Sequence, residues 1–363
     1  MIGISACGVY LPSYRLTREA IAQQTGGHPA RGERTVANYD EDSLTMGVEA
    51  SLECFDNVAS AWGTPLNVQQ VRALFYASTS SPYREKQAAS VVSSVLDLER
   101  SSLVTDLSAS LRGGFTAIQL AGNVLNDSDP EATALVVVAD KRQAEPGSMD
   151  EQAFGDGAAA VLLRKDKVMA SIEAQYAVNA NFPHFWRREN DPYVRSGDAR
   201  FVENYGYHPA MSEAINGLLK ETGLSPKEIA KLAVYSPNAR AAQQLARRLG
   251  FNPETQLADT FFRGVGDTGA AQVFLSLINS LAASRPGDKV VVAGYGDGAP
   301  PFCSRLLRIF NEWRHAGDSR PFSRGDVPLR AICSTCAFET LSGTVPTMPS
   351  ARWPFSGGKR NKT

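Results

Sequence analysis

Short, continuously apolar runs alternate along this chain with longer stretches of helical period. Residues 2–10 (IGISACGVY) read as a buried strand that Leu11-Pro12 ends, and residues 74–77, 103–107 and 134–139 (ALVVVA) read as further strands. Between them, residues 44–60, 85–96 and 114–125 carry helical spacing, the first helix capped by Asp42 or Ser43. Residues 154–163 (FGDGAAAVLL) make a glycine-rich turn into one more strand, where Asp156 reads as a turn former ahead of a ligand.

The pattern then repeats. Residues 225–232 lead into 233–235 as 67–72 lead into 73–76. Residues 265–281 (VGDTGAAQVFLSLINSL) enter a helix through glycines as 112–125 do, and 289–293 (KVVVA) matches 134–139. The offset is about 155–160 residues, so the chain reads as a duplication. Buried strands alternating with helices predict an α/β fold with a parallel-rich sheet covered by helices, built twice. The expected division is an N-terminal half at 1–165, a C-terminal half at 166–310, a polar linker at 311–326 and a tail at 327–363. Residues 178–211, rich in aromatics and charge, lack a clean period and read as an excursion over a surface or cleft.

Charge and composition narrow the function classes. A net charge of −1 gives no electrostatic reason to expect nucleic acid or an anionic membrane as a partner. No apolar run is long enough to span a bilayer and no leader pattern opens the chain, so a cytoplasmic place is expected. Cys7, Cys54 and Cys303 are scattered and Cys333 with Cys336 forms a CxxC, an odd set that suits a reducing compartment.

The stretch with the clearest chemical potential is residues 105–119, TDLSASLRGGFTAIQ. It reads as the end of a buried strand, a tight turn and a glycine-loosened entry into an apolar helix. Such a corner lowers the pKa of a cysteine placed on it and prepares it to attack thioesters. The residue there is Leu111. Arg112 opposes the helix dipole and calls for a compensating anion, a nearby acid before a CoA or acyl contact.

These stretches, taken in order, resemble the thiolase superfamily, nearest the 3-hydroxy-3-methylglutaryl-CoA synthase and β-ketoacyl-ACP synthase III branch. The resemblance is carried by IGISACGVYLPSYRL, YDEDSLTMGVEAS, TDLSASLRGGFTAIQ, VYSPNAR, GVGDTGAAQ and PGDKVVVAGYGDGA, and covers residues 1–310. It implies two similar βαβαβαββ halves in α-β-α-β-α layers. It also implies a cysteine nucleophile, a histidine and, in the synthase branch, a glutamate. Laid on this chain, those positions fall on Leu111, Tyr235 and Thr79, and an asparagine position falls near Val265 or Gly266. Ser110 is the one neighbouring hydroxyl, and it reads as a small packing residue before a nucleophile. Tyr235, with a reference pKa of about 10, reads as a core or pocket-lining residue before a base. His28, His184, His208 and His315 lie outside the matching loops and are expected at the surface.

The tail sequence LRAICSTCAFETLSGTVP resembles the start of a zinc ribbon that precedes an OB-fold in proteins accompanying such chains. Zinc needs four ligands, and Cys333 with Cys336 supplies a half-site, so a truncated or degenerate module without zinc is expected. The resemblance therefore implies a catalytically degenerate subunit of an acyl-CoA-dependent acyltransferase or condensing complex. Its implied partners are a second copy of the chain, a thiolase subunit and a zinc-ribbon/OB-fold protein. No cofactor is required, and acyl-CoA is a candidate ligand. The alternatives are an active condensing enzyme working through Ser110 and a module that holds acyl-CoA without reacting.

Overall fold

The computed structural model describes residues 2–307 apart from 183 and 239. The expected linker and ribbon-like tail, including Cys333 and Cys336, lie outside the described residues, as does His315. The first half runs β1 (Gly3–Tyr10), β2 (Tyr14–Thr17), α1 (Arg18–Thr25), β3 (Glu33–Val36), α2 (Ser43–Trp62), β4 (Val71–Ala77) and α3 (Ala88–Val95). It continues with β5 (Leu103–Leu107), α4 (Gly113–Asn126), β6 (Thr133–Asp140), α5 (Met149–Ala153) and β7 (Gly157–Arg164). After β8 (Ala170–Gln175) come β9 (Val178–Asn179), β10 (Phe185–Trp186), β11 (Arg195–Ser196), α6 (Ala199–Phe201) and a π-helical turn, Val202–Tyr207. The chain then forms α7 (His208–Thr222), β12 (Ile229–Val234), α8 (Ala241–Arg248), α9 (Gln272–Ala283), β13 (Lys289–Ala293), β14 (Gly298–Ala299) and β15 (Pro301–Leu306).

Nine strands make one sheet in the order β12-β13-β15-β8-β1-β7-β6-β4-β5. The order reads symmetrically outward from the β1–β8 junction, which is the duplication seen in space. That junction is short, with Gly3 opposite Ser171 and Ile4 opposite Ala170. The β4–β5, β4–β6 and β12–β13 pairs are parallel, as continuously apolar strands covered on both faces require. The place that β5 fills in the first half is held in the second by a single bridge between Leu232 and Leu257.

Three helical layers follow from the burial pattern. α4 packs on β4 and β6, and α9 packs on β12 and β13. α9 buries residues all round its circumference, the mark of a helix enclosed by protein rather than lying on a surface. α2 covers β1 and β7 on the outer side of the first half, and α7 covers β8 and β15 on the second. Asp42 caps α2 through a reciprocal box with Thr45, while Ser43 lies in its first turn. The glycines at the start of α4 permit close packing: a Cβ on Gly114 would sit 2.6 Å from both Phe274 of α9 and Val138 of β6.

The structure also differs from what the pattern predicts. The helix predicted at 85–96 is shorter, and the one predicted from 265 starts at Gln272 after a tight turn over Gly269–Ala271. The excursion contains short paired strands and a π-helical turn, and α7 begins inside the span read as irregular. Two histidines expected at the surface are buried, His184 at 7% exposure and His208 at 1%.

A half-buried carboxyl on α2 gives a measurable consequence. Glu53 accepts a hydrogen bond from the Val9 backbone N–H at 2.6 Å, and burial pushes its pKa up to about 7. The fold therefore favours the protonated form. The stability this contributes is complete below the unfolded value near 4.5 and is lost as pH rises through about 7. Glu53→Gln, whose amide oxygen can still accept from Val9, should stabilise the protein at pH 8 by about 1–2 kcal/mol after discounting for solvent access. It should leave stability at pH 4 nearly unchanged, as urea titrations at the two pH values would show.

Candidate functional site

Two buried carboxylates organise the region where the halves meet. Asp140, the last residue of β6, is fully buried. Its Oδ1 accepts from Ser78 Oγ (3.1 Å), Thr79 N (2.7 Å), Thr79 Oγ1 (3.1 Å) and Ser80 Oγ (2.7 Å). Its Oδ2 accepts from Ala270 N at 2.8 Å. Asp140 thus ties the turn after β4 to the approach to α9. Gly269 has φ +61°, and a Cβ there would lie 2.2 Å from Asp140 Oδ2, so this position requires glycine on two counts.

Asp267 is the counterpart from the second half. Its Oδ2 pairs with Arg142 Nη2 at 2.6 Å and accepts from Tyr235 Oη at 2.8 Å, while its Oδ1 accepts from Gly269 N at 2.9 Å. The guanidinium of Arg142 lies over the rings of Phe154 (4.1 Å) and Phe185 (4.9 Å). Burial acts to deprotonate Arg142, but the Asp267 carboxylate outweighs it and the pKa lies above the usual arginine value. Burial raises the Tyr235 phenol well above its ordinary range, and the Asp267 charge adds to the effect.

The excursion supplies the remaining wall. His184 stacks on Phe185 (3.9 Å between centroids) and meets Tyr295 (5.1 Å) and Tyr235 (6.2 Å). Burial lowers its pKa to about 3, so it is a neutral imidazole at physiological pH. Tyr207, from the π-helical turn, donates to the Tyr235 carbonyl at 2.7 Å and packs edge-on against Tyr295. Gln272 holds the start of the Ser236-Pro237-Asn238 loop by accepting from Ser236 N and donating to Ser236 O.

Leu111 is buried at the entrance to α4, packed so closely under Gly296 that a Cβ added there would lie only 3.2 Å from the Leu111 Cβ. The turn Tyr295-Gly296-Asp297 therefore links the Leu111 corner to the Tyr235 cluster. Thr79 joins the same assembly through Asp140. Ser110 carries a buried hydroxyl with no protein hydrogen-bond partner, and Ala109 before it has φ +71°. A left-handed alanine stores about 1–2 kcal/mol, so the turn is held under strain by its surroundings. Arg112 donates to the Asp297 carbonyl at 3.1 Å, so its compensating group is a backbone oxygen and not a carboxylate. Asp156 is buried, accepts from Ala37 N at 2.8 Å and pins the end of β3 to the β7 turn.

Sequence reasoning missed Arg142, His184 and Asp267. Asp267 stands one residue beyond Gly266, where the resemblance places an asparagine, and its acid character was the available signal. Nothing in the sequence locates Arg142 or His184, because a turn and an excursion bring them in. Among the described residues no group of three or more His, Cys, Asp or Glu is placed to hold a metal.

Residues 219–304 match the family described as 3-oxoacyl-[acyl-carrier-protein (ACP)] synthase III C terminal. The hydroxymethylglutaryl-CoA synthase of Methanobrevibacter smithii is 31% identical over 306 residues, 82% of this chain and 86% of that protein. The Aeropyrum pernix hydroxymethylglutaryl-CoA synthase is 32% identical over 304 residues, 82% of each. The chain belongs to the hydroxymethylglutaryl-CoA synthase family. Solved structures agree on the fold of this thiolase superfamily. A synthase III from Aquifex aeolicus VF5 superposes with a TM-score of 0.73 at 21% identity, covering 84% of this chain and all of that one. An HMG-CoA synthase complexed with CoA gives 0.75 at 18% identity, covering 86% and 84%. Among the described residues no helix is long and apolar enough to cross a membrane.

The ion pair should behave as a brace. Asp267→Asn strands a buried guanidinium and should cost about 3–5 kcal/mol in urea unfolding. Tyr235→Phe removes one hydrogen bond to the same oxygen and should cost about 1 kcal/mol. Equal effects from the two variants would contradict the assignment.

Proposed function

We propose that this family member is a catalytically degenerate subunit of an acyl-CoA-dependent acyltransferase or condensing complex. The observation that carries the reading is the pairing of Leu111 at the α4 corner with the Tyr235–Asp267–Arg142 cluster beside it. Condensation through a thioester needs a nucleophile that can be deprotonated and a base that can change protonation near pH 7. Leucine supplies no nucleophile. Tyr235 is committed as a donor to Asp267, Arg142 stays charged, and the imidazole of His184 is held neutral. Thr79 spends both its N–H and its hydroxyl on Asp140.

The partners of this reading are a second copy of the chain and a thiolase subunit that carries the reactive cysteine, with a zinc-ribbon/OB-fold protein bridging them in the cytoplasm. β5 supports the first of these: it is the terminal strand of the sheet, and its Leu103 is 51% exposed.

One observation favours an active enzyme instead. Ser110 combines an unpartnered hydroxyl with a strained neighbour at the end of a strand, as a nucleophile on a tight turn would. Mass spectrometry of the purified chain after incubation with acetyl-CoA separates the two readings. The peptide spanning residues 105–119 should carry no acyl adduct, and the chain alone should not condense thioesters at enzyme-like rates. An adduct on this peptide that disappears in Ser110→Ala would overturn the degenerate-subunit reading. Saturable acyl-CoA binding without an adduct would be the mark of a module that holds the thioester for its partner.

A further inference from the structure

A cavity of about 360 Å³ opens beside the carboxyl ends of the parallel strands β4 and β5. Crevices at such strand ends are the usual ligand sites of α/β sheets. This one lies on the outer face of the sheet: Tyr76 in its wall belongs to the core under α2 and α3, whereas Leu111 and Tyr235 belong to the inner core. Ser78 in its wall also bonds to Asp140, but the cavity opens on the other face of the sheet from Leu111 and Tyr235, and it does not rest on the function proposed above.

The lining is unusual in its chemistry. Ser78, Ser81, Thr105 and Ser108 bring hydroxyl groups, and the Ser81 hydroxyl is buried with no protein partner. Two exposed cations, Arg84 and Lys86, complete the wall. The one carboxylate of the lining, Asp106, is already engaged, its two oxygens accepting from Ala88 N and Ala89 N at 2.8 Å each. The N-terminus of α3 is thus satisfied, and the attraction for a ligand comes from Arg84 and Lys86.

The structure shows what such a ligand resembles. Glu189, on the excursion, places its carboxylate on Arg84. Both side chains are 67% exposed, so the pair is weak and readily exchanged. We propose that the cavity binds the oxyanion end of a small molecule, phosphate or carboxylate, at Arg84 and Lys86, with Glu189 as a built-in competitor. Lys86 lies 5.4 Å from the Tyr83 ring and can turn to the anion without leaving a buried charge behind. The neighbouring Arg187 donates to the Thr79 carbonyl at 3.3 Å, so displacing Glu189 frees one of two adjacent ties that hold this part of the excursion down.

The test is titration calorimetry of the full chain with inorganic phosphate and, separately, with acetate, at low and constant ionic strength. Saturable binding is expected, stronger for phosphate if the natural ligand is a phosphoester and stronger for acetate if it is a carboxylate. Arg84→Gln combined with Lys86→Gln should weaken it about tenfold or more. Glu189→Gln should tighten it about two- to fivefold, since it removes only an exposed competitor. All three positions are solvent-facing, and unchanged circular dichroism would confirm that the variants fold. No saturable binding of either anion would overturn the proposal, as would equal affinities for wild type and variants. Glu221→Gln, at the exposed end of α7, changes net charge as Glu189→Gln does but lies outside the cavity lining. Unchanged affinity there, against tightening in Glu189→Gln, distinguishes a site from general charge attraction, and equal tightening in both would overturn the proposal.

Discussion

The meeting of the two halves depends on where Asp140 and Asp267 put their charge. The sheet joins the halves through only two opposed residue pairs between β1 and β8, so the layer containing α4 and α9 must be fixed by other means. Asp140 reaches from the first half to the Ala270 N–H of the second, and Asp267 reaches from the second half to Arg142 of the first. Each carboxylate is buried and would be costly if left unpaired. Their partners therefore cannot drift apart without a large penalty, and Thr79, Tyr235 and the approach to α9 are held with them. Packing completes what these ties begin: Phe274 of α9 presses on Gly114 of α4, and Phe115 meets both Phe274 and Phe302.

The same arrangement explains how a reactive-looking corner can persist beside inert side chains. The strained Ala109 turn and the glycine entry to α4 are requirements of packing between the halves as much as of chemistry. Keeping them preserves the fold whatever residue occupies the corner. The cluster beside it is satisfied internally, with a carboxylate shared by a guanidinium and a phenol, and with the edge-to-face pair Phe154 and Phe185 packed against that guanidinium. A site arranged in this way favours one protonation state. That suits a brace better than a proton relay, whose groups must exchange protons during each turnover.

Much of the fold was legible because β4, β5, β6 and α4 announce themselves by local period, and because the second half repeats their order. The corner at Leu111 and the loop at Tyr235 could be placed from short motifs for the same reason. The polar heart of the site could not. Arg142 follows a strand end and His184 sits in an aperiodic excursion, so their roles arise from tertiary contacts that no local pattern encodes. The buried histidines mark the same limit: His208 opens α7 inside a segment whose π-helical turn disrupts the 3.6-residue period that would have exposed its inward face. Even the acid at Asp267 was visible only as a turn residue until Tyr235 and Arg142 were brought to it.

The excursion spans the contrast between strong and weak contacts. At its inner end His184 and Phe185 are packed against buried rings and the Arg142 guanidinium, and Tyr207 is bonded to the Tyr235 backbone. At its outer end the ties are the exposed Glu189–Arg84 pair and the Arg187 bond to Thr79. Opening the inner end would expose a charged pair and several aromatic rings at once, whereas opening the outer end gives up contacts that water largely replaces. Motion of this segment should therefore begin at Glu189 and stop at Phe185. An anion in the outer cavity would act on the part of the molecule that is easiest to move, and the carboxylate brace would limit how far that movement travels inward.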